Sequence, residues 1–181
     1  MHDDSRCPCG TGLLYAECCA PFHRGCAEPI SAEVLMRSRF AAFARGEVEW
    51  LWTSLHPDHD DRSEPREDIL AHLRDGLGRG VVYESLEVLD TRPPDAEGVA
   101  RVLFAARVKA RAKDVSFVEL SSFVHDGEGW RYLFGAPVST GASTRGRLRG
   151  DPRKLTIEDP RKLTIDDPRK LTIDDVERGD K

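Results

Sequence analysis

The sequence has no apolar run long enough to cross a membrane or to serve as a secretory signal, although it extends over 181 residues. Hydrophobic residues make up 39% of the chain and charged residues 33%, a balance typical of soluble globular proteins. We therefore expect a cytosolic protein with no membrane partner, in a compartment where cysteine thiols stay reduced.

A basic excess is also missing from most of the chain. Residues 1–135 contain 16 lysines and arginines against 23 aspartates and glutamates, a net charge of −7. Because a nucleic-acid-binding surface neutralises phosphates with basic side chains, this balance disfavours nucleic acid as a partner of the folded core. The basic segment over residues 136–150, with Arg145, Arg147 and Arg149, is interpreted as a flexible linker, and nucleic-acid binding through it is the least favoured hypothesis.

The chain has only five cysteines, and four of them lie close together near its start, in Cys7-Pro8-Cys9-Gly10 and Cys18-Cys19. Two thiolates flanking one residue, with a glycine to turn the chain, can approach one ion, and the adjacent pair completes a tetrahedron. A segment this short cannot fold on apolar burial alone, so metal binding must supply the missing free energy. We predict a zinc knuckle over residues 1–28 with ligands Cys7, Cys9, Cys18 and Cys19.

Three alternatives to this zinc site remain at the level of the sequence. The cysteines can be free thiols or disulfides, which the expected reducing compartment disfavours. Either His23 or the fifth cysteine, Cys26, can replace one of the four ligands. Iron can take the place of zinc, although zinc suits a closed structural tetrahedron better.

Residues that typically begin and end helices follow the knuckle. A first helix runs from its N-cap, Ser31, to Gly46, and a second begins at Val48 and stops before Pro57. A third is predicted to have Ser63 as its N-cap and to end over residues 78–80.

The hydrophobic period changes to two from residue 81 onward. Between residues 99 and 109 every even position is apolar, which predicts a strand with one buried face, while Arg101, Arg107 and Lys109 point to the other side. Further strands are predicted over residues 81–89, 115–125 and 130–134. Helices followed by an antiparallel meander indicate an α+β domain over residues 29–135.

An octapeptide occurs three times near the end of the chain, beginning at Asp151, Asp159 and Asp167. Each copy offers only one leucine and one isoleucine, too little to form a packed repeat, so we predict a disordered tail over residues 151–181. The copies are interpreted either as a duplication without a selected use or as a multivalent tail that presents a short Lys-Leu-Thr-Ile strand.

Several of these stretches resemble known families. The segment from Cys7 through Tyr15 to Cys19 resembles the SEC-C motif, the zinc-binding tail module of the SecA translocation ATPase. The stretches that are similar to the bacterial YchJ-like family are Leu35-Met36-Arg37-Ser38-Arg39-Phe40, His56-Pro57, residues 119–123, Gly129-Trp130 and Tyr132. This resemblance implies a cone-shaped, cystatin-like or nuclear-transport-factor-two-like domain, in which three helices pack on a curved antiparallel sheet, and it implies no activity.

Such a domain encloses a cleft, and polar residues that converge there are candidate ligand-binding groups. The candidates are Arg37, Arg39, Ser121, Trp130 and Tyr132, with the aromatic residues equally interpretable as core. His56 and Glu119 are candidate partners in acid–base catalysis if they lie within hydrogen-bond reach. The structural alternative is an ion pair between Glu119 and a helix arginine, and since Arg37 and Arg39 point to nearly opposite faces, only one faces the sheet.

Two functions follow from these features. The first is a zinc-binding cytosolic adaptor that binds a protein partner, which the resemblance to the SecA module connects with translation or protein translocation. The alternative is a protein that binds or transforms a small molecule in the cleft. Because no nucleophile motif accompanies the cleft residues, the sequence favours binding over catalysis.

Overall fold

The structure is a computed structural model that describes residues 4–138. The predicted tail over residues 151–181, and all of the predicted linker beyond residue 138, lie outside the described residues. In chain order, the elements are α1 (Ala20–His23), α2 (Ala32–Arg45), α3 (Val48–Thr53), α4 (Arg66–Gly78), β1 (Val81–Arg92), β2 (Val99–Ala110), β3 (Lys113–Asp114), β4 (Phe117–His125) and β5 (Trp130–Pro137). Short 3-10 helices cover Tyr15–Glu17 and Asp60–Ser63. None of the helices between residues 4 and 138 combines the length and apolar character that a bilayer crossing requires.

The helix boundaries follow from local backbone chemistry. Ser31 caps α2 by accepting a hydrogen bond from the backbone N–H of Val34 at 3.2 Å, and Gly46 ends it with a left-handed φ of 75°. The predicted start of the last helix is wrong, because α4 begins at Arg66 and Ser63 closes the preceding 3-10 helix. Pro65 holds the residue before it in extended backbone, so a helix cannot pass through this point.

The sheet is antiparallel, with strand order β1-β2-β4-β5 and the short β3 paired with the end of β2. Register shifts interrupt the β1–β2 pairing at two places and the β4–β5 pairing at Ser122 and Phe123. Each such irregularity bends a strand and increases its twist, so the sheet curves around the helices. The predicted α+β architecture, with helices on a curved antiparallel sheet, is confirmed.

The concave face of the sheet forms the main core with the helices. The five even-numbered apolar residues of β2 are buried against Leu35, Met36 and Phe40 of α2, as the period-two pattern predicts. The opposite face differs from the prediction at its centre, where Leu103 and Ala105 are also buried, in a second cluster with Val118 and Leu120. The charged residues of β2 reach solvent only towards the ends of the strand, because the outer apolar cluster occupies its middle.

Candidate functional site

Four cysteine sulfurs converge at the start of the chain. The Sγ atoms of Cys7, Cys9, Cys18 and Cys19 all lie within 4.8 Å of one another, and no disulfide joins them. Sγ of Cys18 lies 3.4 Å from that of Cys9 and 3.9 Å from that of Cys19. A tetrahedral zinc site with Zn–S bonds of about 2.3 Å requires S···S separations of about 3.8 Å. The four predicted ligands therefore fit one metal ion.

Local backbone contacts bring the two cysteine pairs together. The N–H of Cys7 donates to the carbonyl of Leu13 at 2.8 Å, and the N–H of Tyr15 donates to Ser5 at 2.9 Å, which folds the intervening loop back on itself. Gly10 within this loop has a φ of 85°, and a Cβ there would lie 3.1 Å from the carbonyl oxygen of Leu86 in β1. A glycine is therefore needed both for the turn and for the close approach to the sheet.

The sulfur cluster is electrostatically suited to a cation. Hydrogen bonds from Cys19 and then Cys7 lower the pKa of Cys9, whereas hydrogen bonds with Cys7 and then Cys9 raise the pKa of Cys19. One thiolate is thus stabilised by protons on the neighbouring thiols. A metal ion replaces those shared protons with a positive charge, so the close spacing that opposes full deprotonation favours metal binding.

Polar contacts from helix α2 hold the knuckle. Nη1 of Arg37 donates to the carbonyl of Cys9 at 2.9 Å, while its Nε donates to Glu33 at 2.8 Å. His23 lies between the hydroxyl of Tyr15, 2.7 Å from Nδ1, and the carbonyl of Ser38, 2.9 Å from Nε2. Arg37, predicted as a cleft residue, therefore lies at the knuckle instead.

His23 and Cys26 lie outside the sulfur cluster. Burial lowers the pKa of His23, and the neutral ring can donate from Nε2 to Ser38 and accept at Nδ1 from Tyr15. Nδ1 thus bonds within the knuckle, and Nε2 joins the knuckle to the domain. Cys26 is exposed, which makes it a natural control for the four clustered cysteines.

A second polar cluster lies on the concave face of the sheet. Ser121 donates to Oε1 of Glu119 at 2.6 Å, and the hydroxyl of Tyr132 donates to the same oxygen at 3.3 Å. Gly135 lies opposite Ser121 on β5, and a Cβ at this position would overlap the Glu119 carboxylate and the Tyr132 hydroxyl. The absence of a side chain at residue 135 makes room for the carboxylate.

Arg39 lies beside this cluster and is the arginine that faces inward. Its Nη1 donates to the carbonyl of Leu51 at 2.8 Å and to the hydroxyl of Ser54 at 2.5 Å. The guanidinium carbon lies 4.4 Å from the centre of the Tyr132 ring. Between residues 4 and 138 no ion pair joins Arg39 to Glu119, so the direct helix-to-sheet ion pair that the sequence left open is not formed. Arg39 instead contacts the ring of Tyr132, whose hydroxyl donates to Glu119.

Comparison with known protein families matches both parts of this architecture. The description "YchJ, middle NTF2-like domain" fits residues 31–135, more than half of the chain, and the SEC-C motif fits residues 5–21. This chain belongs to the YchJ-like family. The family assignment and the nuclear-transport-factor-two-like fold agree with the resemblance found in the sequence.

Bacterial relatives of the YchJ-like chain are similar along most of their length. A UPF0225 protein of Geobacter sulfurreducens is 33% identical over 150 residues, covering 81% of this chain and 88% of the relative. One of Corynebacterium glutamicum is 39% identical over 133 residues, covering 72% and 95%. The solution structure of a SEC-C motif containing protein from Rhodopseudomonas palustris has a TM-score of 0.62 at 26% identity, covering 75% of this chain and all of that one. The crystal structure of a SEC-C motif containing protein from Psychrobacter arcticus has a TM-score of 0.60 at 26% identity, covering 73% and 82%.

The remaining predicted cleft residues of the YchJ-like domain are more scattered. Nδ1 of His56 accepts from the backbone of Asp58 at 3.2 Å, and in the described part of the chain no hydrogen bond joins His56 to Glu119. Trp130 packs edge-on against His125, with ring centres 5.5 Å apart, at the hairpin end of β5. Of the predicted set, Arg39, Glu119, Ser121 and Tyr132 come together.

Two residues near this cluster were not singled out in the sequence. The ring of His59 lies 5.4 Å from that of Tyr132, although its polar neighbours indicate a surface residue. Tyr83 of β1 stacks on Phe43, and its pKa is raised by burial and then by the charge of Glu119. Tyr83 does follow the period-two pattern of its strand, which is the one signal that points it inward.

We expect the pH dependence of stability to reveal the environment of Glu119. Burial raises the pKa of this carboxyl, against the hydrogen bonds of Ser121 and Tyr132 and the charge of Arg39. Its stabilising contribution is therefore complete at low pH and is lost as the pH rises from the unfolded pKa of about 4.3 through the higher folded pKa. Because Glu119→Gln cannot ionise, its free energy of unfolding should increase relative to the wild type across that interval.

Urea unfolding measured at several pH values from about 4 to 8 tests this expectation. Glu128→Gln, which makes the same chemical change on the exposed β4–β5 turn, is the matched control. A Glu119→Gln difference that decreases with rising pH would contradict the burial argument.

Proposed function

We propose that this protein is a cytosolic zinc-binding adaptor whose SEC-C knuckle binds a protein partner. The observation that carries the proposal is the convergence of four sulfurs within 4.8 Å. A closed set of four cysteines leaves no coordination position for a substrate, which is typical of a structural zinc site rather than a catalytic one. The cytosol is the proposed compartment because the site requires reduced thiols.

The choice of zinc follows from the ligand set. Four thiolates in a short segment select soft or borderline metal ions over magnesium and calcium. Zinc prefers a tetrahedron and does not change its oxidation state, so it serves a purely structural role. Iron in the same thiolate cage is the competing outcome of the test below.

The proposed partner surface is the loop between the two cysteine pairs. Leu13 and Leu14 follow each other in this loop with 54% and 38% of their surface exposed. Neighbouring exposed leucines on a metal-stabilised loop form a small apolar contact surface. The resemblance of the knuckle to the SecA module makes a component of the translocation or translation machinery the first partner class to examine.

Native mass spectrometry with elemental analysis tests the metal. Protein purified without added metal should carry one zinc per chain, and Cys18→Ser or Cys19→Ser should lose it, since each change removes one thiolate of the cage. Cys26→Ser should retain the zinc because Cys26 is exposed and outside the cluster. A metal-free but folded wild-type protein would refute the proposal. One iron per chain would mean that the metal of the proposed adaptor is iron and not zinc.

Site-specific crosslinking in cells tests the partner surface. A photoreactive residue introduced at Thr11, beside the leucines, should crosslink to a defined partner, and Leu13→Ser with Leu14→Ser should reduce the yield about tenfold. Val82→Ser, which alters a valine with 55% exposure on β1, should leave the yield unchanged. Equal crosslinking by both variants, each with its zinc retained, would remove the leucines from the proposal without touching the metal site.

A further inference from the structure

The interior of the α+β domain contains polar atoms that the structure leaves without partners. Glu119 accepts both of its hydrogen bonds at Oε1, and among residues 4–138 its Oε2 has none. The hydroxyl of Tyr83 likewise has no hydrogen-bond partner in that range. We call the region bounded by Arg39, Tyr83, Glu119 and Tyr132 the inner recess.

These atoms border space that water can reach. In the described part of the chain, Nε of Arg62 is the one fully buried side-chain nitrogen or oxygen that lacks a hydrogen-bond partner. The side chains of Glu119 and Tyr83 belong to residues that are only partly buried, so solvent reaches part of each residue. Burial nevertheless raises the pKa of each group, so both are surrounded by protein. Polar residues that are enclosed by protein yet partly exposed are typical of the wall of a binding recess.

Arg39 supplies a second, independent sign of a binding site. Only 9% of its surface is exposed, and its two hydrogen bonds both leave from Nη1. Its Nε and Nη2 therefore have no hydrogen-bond partner among residues 4–138. A guanidinium that is nine-tenths buried with two free nitrogens is costly unless water or a ligand completes its hydrogen bonds.

The walls of the inner recess are aromatic. Tyr83 packs edge-on against Phe40 at 5.6 Å, and Tyr132 packs against Phe123 at 5.7 Å. Phe117, two residues before Glu119 on the same face of β4, contributes a further ring. Aromatic walls with a few convergent polar groups are typical of a small-molecule site.

The charges decide which head group fits. A carboxylate ligand would face Glu119, and an ammonium ligand would face Arg39, so each charged head group meets one group of its own sign. We infer that the inner recess binds a small uncharged molecule with an apolar body and a head group that donates a hydrogen bond to Oε2 of Glu119. This site is separate from the metal centre and does not depend on the adaptor function.

NMR titration of the full, zinc-loaded, nitrogen-15-labelled chain tests the inference with four matched probes. Benzyl alcohol carries a neutral donor, toluene lacks a head group, and benzoate and benzylamine carry opposite charges. Benzyl alcohol should shift the amide signals of residues 119–121 and Tyr83 saturably, with a dissociation constant about tenfold below that of toluene. Benzoate and benzylamine should both bind more weakly than benzyl alcohol.

Glu119→Gln should weaken benzyl alcohol binding about fivefold, since the acceptor loses its charge, and should tighten benzoate binding, since Arg39 is then unopposed. Glu128→Gln should change neither affinity. Tyr83→Phe, which removes a hydroxyl and little else, gives a second reading if Glu119→Gln does not fold, and should weaken benzyl alcohol but not toluene. Equal affinity for benzyl alcohol and toluene, or shifts confined to residues outside the inner recess, would overturn the inference.

Discussion

Chelation of the bound metal is expected to unfold the knuckle and to leave the α+β domain folded. The buried residues of the knuckle form their own cluster, in which Ala41 of α2 is the one contribution from the domain, and three of its members are proposed metal ligands. Metal binding in small zinc domains contributes about 10–16 kcal/mol to folding, far more than this cluster can gain from apolar burial. The main core lies on the concave face of the sheet and contains none of the four ligands.

Hydrogen exchange measures this outcome residue by residue. The amides of Cys7 and Tyr15 donate within the knuckle, and both should lose protection when a chelator removes the metal. The amides of β2 and β4 should keep theirs. Cys19→Ser should reproduce the pattern without a chelator, whereas Cys26→Ser should match the wild type. Unchanged protection of Cys7 and Tyr15 after mass spectrometry has verified metal loss would show that the knuckle folds on other interactions.

Phe123→Ala is expected to lower the free energy of unfolding of the domain by about 3–5 kcal/mol. Phe123 is fully buried on β4, one of the two inner strands of the sheet, and packs against Tyr132. Its removal leaves a cavity that cannot easily close, because the pairing of β4 with both β2 and β5 holds the backbone in place.

Phe134→Ala provides a control of the same chemistry on the neighbouring strand. Phe134 retains 43% exposure, so its loss should change the free energy of unfolding by no more than about 1 kcal/mol. Urea unfolding followed by far-UV circular dichroism measures both variants. Similar losses for the two would mean that Phe123 does not anchor the core.

Features that depend on short stretches of chain were predictable from the sequence. The N-cap at Ser31 and the left-handed end at Gly46 need only local hydrogen bonds and backbone freedom, and both are present. The α4 start was predicted two residues too early because a serine at position 63 also suits a 3-10 turn, and Pro65 decides between the two. The cysteine cluster followed from spacing alone, since both pairs lie within one short loop.

Contacts between distant segments were less predictable. Period and spacing indicate that Arg37 and Arg39 occupy different faces of α2, but they do not say which face meets the knuckle. The structure assigns Arg37 to Cys9 and Arg39 to Tyr132, 28 residues and 93 residues away along the chain. The role of Gly135 was equally hard to predict, because it depends on the carboxylate of Glu119 on the neighbouring strand and not on a turn of the backbone at residue 135.

Helix α2 connects the two sites over three consecutive residues. Arg37 donates to the knuckle, the carbonyl of Ser38 contacts His23, and Arg39 borders the inner recess. Ser38 is also fixed from the other side, since its hydroxyl accepts from Nε1 of Trp50 at 3.0 Å. The residues of α2 that contact the cysteine cluster and the recess therefore lie within one helical turn of each other. The two sites must then obey thermodynamic linkage. If metal binding changes the affinity of the recess for its ligand by some factor, ligand binding changes the affinity of the cysteines for the metal by the same factor.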